Sequence, residues 1–196
     1  MWDDRYSEPG FAYGVEANDF LCQMRPRIPP GRVLCLGEGE GRNAVHLAQH
    51  GYEVTAVDAS SVGLGKARDL ARERGVSIHT EHCDLADFEI EPNAWSGIVS
   101  IWCHVPQSLR QRLHRQVVAG LAPGGVLILE AYTPAQLNWR TGGPPTTDLM
   151  MQLDELREEL AGLTFEHACE LERDVHEGRY HNGHSAVVQV LALKPR

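Results

Sequence analysis

Residues 33–48 constrain this chain more than any other stretch. Val33-Leu34-Cys35-Leu36 is an apolar run with no polar break, as in a strand buried on both faces. Gly37-Glu38-Gly39-Glu40-Gly41-Arg42-Asn43 follows, and the apolar residues Ala44, Val45, Leu47 and Ala48 then recur at helical spacing. Glycine at alternate positions lets the backbone turn tightly and approach a ligand closely. A strand, such a turn and a helix N-terminus build the ligand crevice of an open α/β sheet, at the carboxyl ends of its strands. A dinucleotide fingerprint needs its third glycine at position 42, where Arg42 stands. Glu38 and Glu40 in the loop oppose a pyrophosphate at the helix N-terminus. No Gly-Lys-Ser/Thr follows, which excludes a P-loop.

An acidic loop suits a ligand that carries an ammonium and a sulfonium, as S-adenosylmethionine does. The loop resembles motif I of the class I methyltransferases, an acidic residue followed by x-G-x-G-x-G. It departs at one position, where Cys35 replaces the usual acid, and Glu38 is expected to stand in for it. A second segment, residues 53–58, alternates and ends on Asp58, 21 residues beyond Gly37 (58 − 37). A strand-end acid at that distance fits a ribose hydroxyl pair. The other reading of Asp58 is a helix cap, a task that Ser60 or Ser61 could share. Asp84, after a third strand at 76–82, occupies the place of the adenine-reading acid in class I methyltransferases; an Asx turn is the plainer reading. The expected cofactor contacts are Gly37, Glu38, Gly39, Gly41, Asn43, Asp58, Ala59, Ser60, Asp84, Leu85 and Tyr13.

The rest of the chain is consistent with that class. At 196 residues it is expected to be one domain, 1–196. A net charge of −9 and the lack of a basic cluster argue against a nucleic-acid partner. The five cysteines form no C-x-x-C, which fits a reducing cytosol. No apolar run approaches the roughly 18 residues of a membrane span. A cytoplasmic monomer or homodimer, with a small-molecule partner and no membrane, is expected.

Residues 1–14 are aromatic and turn-rich without helical or strand periodicity, and read as an arm packed by Trp2 and Phe11, or as a lid with Tyr13 at its tip. A short helix at 16–25 and a Pro-Pro-Gly turn lead into the first strand. Helices are expected at 62–74, from 107 through 118, and at 149–160, and strands at 95–102 and 126–132. Ala122-Pro123-Gly124-Gly125 reads as a tight turn into the fifth strand. The loop 133–148 is too long for a connector and is assigned to the substrate side. Two strands, 165–175 and 179–193, close the chain as a hairpin about Glu177-Gly178. The count matches the Rossmann-like methyltransferase fold: a seven-stranded, mostly parallel α/β sheet, order 3-2-1-4-5-7-6, last strand antiparallel, helices on both faces. Gly41-Arg42-Asn43, Trp2-Asp3-Asp4-Arg5-Tyr6 and the ending Ala186 to Lys194 resemble the small bacterial tellurite-resistance-type methyltransferases.

Three side chains are candidates for the reacting end. His104 follows the fourth strand, Arg140 in the long loop suits an anionic substrate, and His181 lies where the resembling enzymes carry an active-site His. Their following Arg is Asn182 here, which counts against an oxyanion substrate. Each His also has the plain reading of a packing or surface residue. His181-x-x-His184 lacks the spacing of a helical zinc pair, and no metal is expected. The resemblance implies methyl transfer to a small molecule, a thiol, selenium or tellurium species being favoured. The rivals are an NAD(P)-dependent oxidoreductase on the same fold and a non-catalytic S-adenosylmethionine-binding module.

Overall fold

The computed structural model describes residues 2–196. A single seven-stranded sheet runs in the order β3-β2-β1-β4-β5-β7-β6. Its strands are β1 (Arg32–Leu36), β2 (Glu53–Asp58), β3 (His79–His82), β4 (Trp95–Ile101), β5 (Leu121–Tyr132), β6 (Thr164–Glu177) and β7 (His181–Leu193). β7 lies antiparallel between β5 and β6, and the pairs from β3 to β5 are parallel. Crossover helices α3 (Arg42–Gln49), α4 (Ser61–Glu73) and α5 (Gln107–Gly120) connect the parallel strands. Two short helices, α1 (Trp2–Tyr6) and α2 (Asp19–Met24), precede the sheet, and α6 (Leu153–Glu159) precedes the hairpin.

The central strands alternate between two apolar layers, as a period of two demands. Leu34, Leu36, Ile98, Leu127 and Leu129 join Leu113, Val117 and Leu156 of α5 and α6 on one face. Val33, Cys35, Val99, Val126 and Ile128 join Phe20, Leu47 and Leu64 of α2, α3 and α4 on the other. With both faces covered, the ligand crevice falls at the open end, beyond the carboxyl ends of β1, β2 and β4. No helix among the described residues is long and apolar enough to cross a membrane.

Four expectations are corrected. The arm is not free of helix: Trp2–Tyr6 is helical, with Asp3 and Asp4 in its first turn and Arg5 in its last. Those charges suit the helix dipole, and five residues are too few to show a period. The third strand is only His79–His82, because Val76 and Ile78 pack instead against Val45, Leu70 and Ala71. The helix expected at 149–160 is confined to Leu153–Glu159, since buried Met150 and Met151 are held in extended chain by Arg110 Nη1 on the Met150 carbonyl (2.8 Å) and by Met151 N–H on the Tyr132 carbonyl (3.0 Å). The Ala-Pro-Gly-Gly turn is absorbed into β5, where the register against β4 shifts between Trp95 and Gly97.

Candidate functional site

A cavity of about 540 Å³ opens at the ends of β1, β2 and β4. The glycine loop forms its floor, but the three glycines serve different ends. Gly37 lines the cavity, and a Cβ there would come within 3.1 Å of Cys103 Sγ. Gly39 lies under the α1 ring of Tyr6, whose hydroxyl would be 2.5 Å from an added Cβ. Gly41 (φ +90°) lies against α4, where a Cβ would meet Ala67 Cβ at 2.5 Å. Of the three only Gly37 lines the cavity, while Gly39 and Gly41 allow close packing of α1 and α4 on the loop.

The loop carboxylates are also divided. Glu38 lines the cavity and accepts the Ala44 N–H at 2.7 Å, so it caps the first turn of α3, and burial pushes its carboxyl up to about 7. Glu40 is buried, accepting the Ala12 N–H at 2.7 Å and pairing with Lys66 Nζ at 2.9 Å. Its charge anchors the arm, so of the two carboxylates only Glu38 bears on the exclusion of pyrophosphate. Asn43 lines the cavity while its Oδ1 accepts the Asn18 N–H at 3.0 Å.

Asp58 and Ala59 line the cavity at the end of β2. Asp58 Oδ2 accepts from Gly39 N–H and Oδ1 from Ser60 N–H, both at 2.8 Å, and burial raises its carboxyl above the usual range. Each oxygen keeps a second lone pair, so bracing the loop and receiving a ribose hydroxyl are compatible. Ser60 does not reach the cavity lining. It is fully buried as the N-cap of α4, accepting from Gly63 N–H (3.0 Å) and donating to Asp3 Oδ1 (2.5 Å), so its hydroxyl is occupied within the protein. Asp84 and Leu85 line the cavity, and Asp84 Oδ1 also closes an Asx turn on Ala86 N–H at 2.8 Å.

At the other end stands His181, buried and ringed by aromatics. Its ring centroid lies 4.6 Å from that of Tyr13, 5.1 Å from Trp102 and 5.3 Å from Tyr132. Its Nδ1 has no hydrogen-bond partner and lies 3.9 Å from Glu177 Oε2. Burial lowers the imidazole pKa, and the Glu177 charge opposes that shift without cancelling it. The net direction favours the neutral ring.

His104 and Arg140 fare differently. His104 lines the cavity, but Nδ1 donates to the Leu149 carbonyl at 2.8 Å and Nε2 faces the Tyr132 N–H at 3.4 Å. Burial holds its pKa down to about 4. With both nitrogens turned to backbone, His104 braces the long loop and has no free lone pair for a base, a correction of its catalytic assignment. Arg140 is exposed, sits at φ +54° and lies outside the cavity. Residues 142–145 of the same loop reach the cavity instead, because the chain turns back at Gly142 and Gly143.

Sequence reasoning missed the group that joins the two ends. Glu177 Oε2 accepts from Arg42 Nη2 (2.5 Å) and Trp102 Nε1 (2.6 Å), and Oε1 accepts from Asn18 Nδ2 (2.8 Å). Burial pushes its carboxyl up, but neighbouring His181, the Arg42 guanidinium and the Trp102 indole hold it well below the usual range. Trp102 takes up a left-handed backbone (φ +56°), uncommon for a bulky residue and a mark of constraint at the end of β4. Glu177 pairs with His181 across the hairpin, a register that a turn placed at 177–178 conceals. Arg5 and Tyr6 of the arm, which the sequence marks only through a resemblance, were not assigned to the site, yet both line the cavity.

Comparison with known proteins bears on the fold and on residues 33–125. Residues 33–125 match a family model described as a methyltransferase domain. The chain is 27% identical over 141 residues to a 2-heptyl-1-hydroxyquinolin-4(1H)-one methyltransferase of Mycobacteroides abscessus, covering 70% of this chain and 62% of that protein. It is 31% identical over 159 residues to a malonyl-[acyl-carrier protein] O-methyltransferase of Enterobacter lignolyticus, covering 78% of this chain and 61% of that protein. The chain thus spans less than two thirds of the length of these relatives. In fold it is similar to TehB from Haemophilus influenzae, with a TM-score of 0.74, 20% identity, and 98% of this chain and 65% of that one covered.

Proposed function

We propose, from the premise that this chain carries a class I S-adenosylmethionine-dependent methyltransferase domain, that it methylates a small molecule at a soft atom, a thiol or a selenium or tellurium species. One observation carries the reading: a single cavity runs from the glycine loop and Asp58 to the aromatic surround of His181. The donor set fits the cofactor. Asp58 retains lone pairs for a ribose diol, Asp84 stands where an adenine amino group is read, and a cationic ligand beside Glu38 would draw that carboxyl, raised by burial, back to its ionised form. When bound, S-adenosylmethionine supplies a methyl group already activated on a sulfonium.

The chain's own part is alignment, exclusion of water and the handling of one proton. Trp102, Tyr13 and residues 142–145 enclose the acceptor end. His181 is the imidazole there that is not committed to backbone. Its Nδ1 faces the Glu177 carboxylate, which favours the proton on that nitrogen and leaves the Nε2 lone pair to take the acceptor's proton. The imidazolium so formed is stabilised by the same carboxylate. A soft acceptor needs only this single base.

Calorimetry with S-adenosylhomocysteine and with NAD tests the premise, and labelled cofactor with thiols, selenite, tellurite and arsenite tests the acceptor. Binding of S-adenosylhomocysteine without NAD, and label transfer to a soft acceptor, are expected. Micromolar NAD affinity with no response to S-adenosylhomocysteine would overturn the reading. Tight binding with no transfer to any acceptor would leave a cofactor-binding module instead.

A further inference from the structure

We infer that Arg5 is a preset anchor for a ligand carboxylate at the mouth of the cavity, an inference that rests on the methyltransferase reading. Two cations line the cavity, Arg5 and Arg42. Arg42 is spent, its guanidinium bound to Glu177 at 2.5 Å and to the Glu16 carbonyl at 3.2 Å. Arg5 has no carboxylate within ion-pairing distance among the described residues. Its one side-chain hydrogen bond runs from Nη1 to Tyr13 Oη at 2.8 Å. Five N–H donors in a planar fork leave most of its capacity unused, and that fork matches a carboxylate.

The side chain is nonetheless held in place. Its guanidinium carbon lies 4.7 Å from the centre of the Tyr180 ring and 5.3 Å from that of Trp2, so two aromatic rings confine the cation. The helix presenting it is fixed at two points. Asp3 accepts the Ser60 hydroxyl at the start of α4, and Tyr6, 5% exposed, fills the space over Gly39 and Gly63. A surface arginine with nothing to bind would lose rotamer freedom here for little return. With Glu40 paired to Lys66, the other carboxylates on the lining are Glu38, Asp58 and Asp84, so a ligand anion finds its counter-charge at Arg5.

Position limits what the anion belongs to. Arg5 and His181 flank one phenol: Nη1 contacts the hydroxyl of Tyr13, and the Tyr13 ring lies 4.6 Å from the imidazole. A carboxylate on Arg5 is thus separated from His181 by the Tyr13 side chain. That fits either an acceptor bearing a carboxylate across an aromatic ring from its nucleophile, or the carboxylate of the cofactor's amino-acid end.

Arg5→Gln and Arg5→Lys, measured against paired ligands, test the anchor and tell the sources apart. S-adenosylhomocysteine is compared with 5′-methylthioadenosine, which lacks the amino-acid end, by calorimetry. 4-Mercaptobenzoate is compared with thiophenol by KM for methyl transfer. Arg5→Gln is expected to weaken the carboxylate-bearing member of one pair by about 10- to 100-fold, as loss of a hydrogen bond to a charged group does, and to spare its partner. Arg5→Lys is expected to restore part of the loss, because it keeps the charge without the fork. Loss confined to S-adenosylhomocysteine assigns the cofactor; loss confined to 4-mercaptobenzoate assigns the acceptor. Equal loss within each pair, or none in either, overturns the anchor. Wild-type protein that binds neither nucleoside removes the methyltransferase reading, and the anchor with it.

Discussion

Asp58→Ala should destabilise the ligand-free protein as well as weaken cofactor binding, because the carboxylate braces two turns at once. Its oxygens accept the N–H groups of Gly39 and Ser60 at 2.8 Å each, and the residue is 7% exposed. A hydrogen bond to a charged group contributes about 1.5–3 kcal/mol, so the two together are worth roughly 3–6 kcal/mol. Part of this is offset, since burial raises the Asp58 pKa and removal of the charge relieves that cost. A net loss of about 2–4 kcal/mol remains, a large share of the roughly 5–15 kcal/mol that holds a domain together. At about 2–4 °C per kcal/mol for a chain of this size, the melting temperature should fall by roughly 4–16 °C. Urea denaturation without ligand gives the stability term, and calorimetry with S-adenosylhomocysteine gives the binding term. Ser60→Ala, which removes the cap but keeps the Ser60 N–H on Asp58, should cost only about 1 kcal/mol. Ligand-free Asp58→Ala with stability within about 0.5 kcal/mol of wild type would refute the bracing role, whatever happened to affinity.

Three further outcomes follow from the geometry. His181→Ala should lower turnover by roughly 10²–10⁴-fold while leaving S-adenosylhomocysteine affinity unchanged; the acidic limb of the wild-type rate profile should fall below pH 6.5, since burial lowers this imidazole. His104 has a folded pKa of about 4 against 6.5 when free, so the unfolded chain takes up its proton first. Its contribution is complete above pH 6.5 and is lost as the pH falls towards 4; urea midpoints across pH 4–8 should show this slope, flattened in His104→Phe. Gly41→Ala should cost about 1–3 kcal/mol in urea, because the new methyl meets Ala67 at 2.5 Å on a backbone at φ +90°. Wild-type stability there would show that α3 and α4 have room to part.

The fold was legible because its signals are local. An apolar run, a glycine turn and a helical period sit side by side in residues 33–48, and Asp58 ends the next strand at a telling distance. The strand order came with the family resemblance and is the order observed. The site was legible only where a residue's task is set by its neighbours in the chain. Ser60 caps its own helix, yet its proximity to Asp58 in sequence resembled a cofactor contact. Gly41 faces Ala67 and Gly39 faces Tyr6, partners that no spacing rule announces. Among the cations, loop length singled out Arg140, whereas Arg5 reaches the cavity by way of a five-residue helix docked on α4. Glu177 was hidden by a hairpin register that only the paired strands define.

The position of β7 bears on how the molecule comes into being. β5 and β6 are both completed by a strand that follows them in the chain, and β7 runs from His181 to Leu193. During synthesis β5 keeps an open edge, with Val126 to Tyr132 awaiting partners, until residues 187–193 have left the ribosome. An open, apolar edge is where chains pair wrongly with one another. Arg42 and Trp102 wait too, for Glu177 does not settle beside them until the hairpin closes. The glycine-loop half of the crevice is thus encoded early and the His181 half last. A nascent chain arrested before β7 should be a client for chaperones, and release of the final strand should seal the edge and assemble the reacting end in one step.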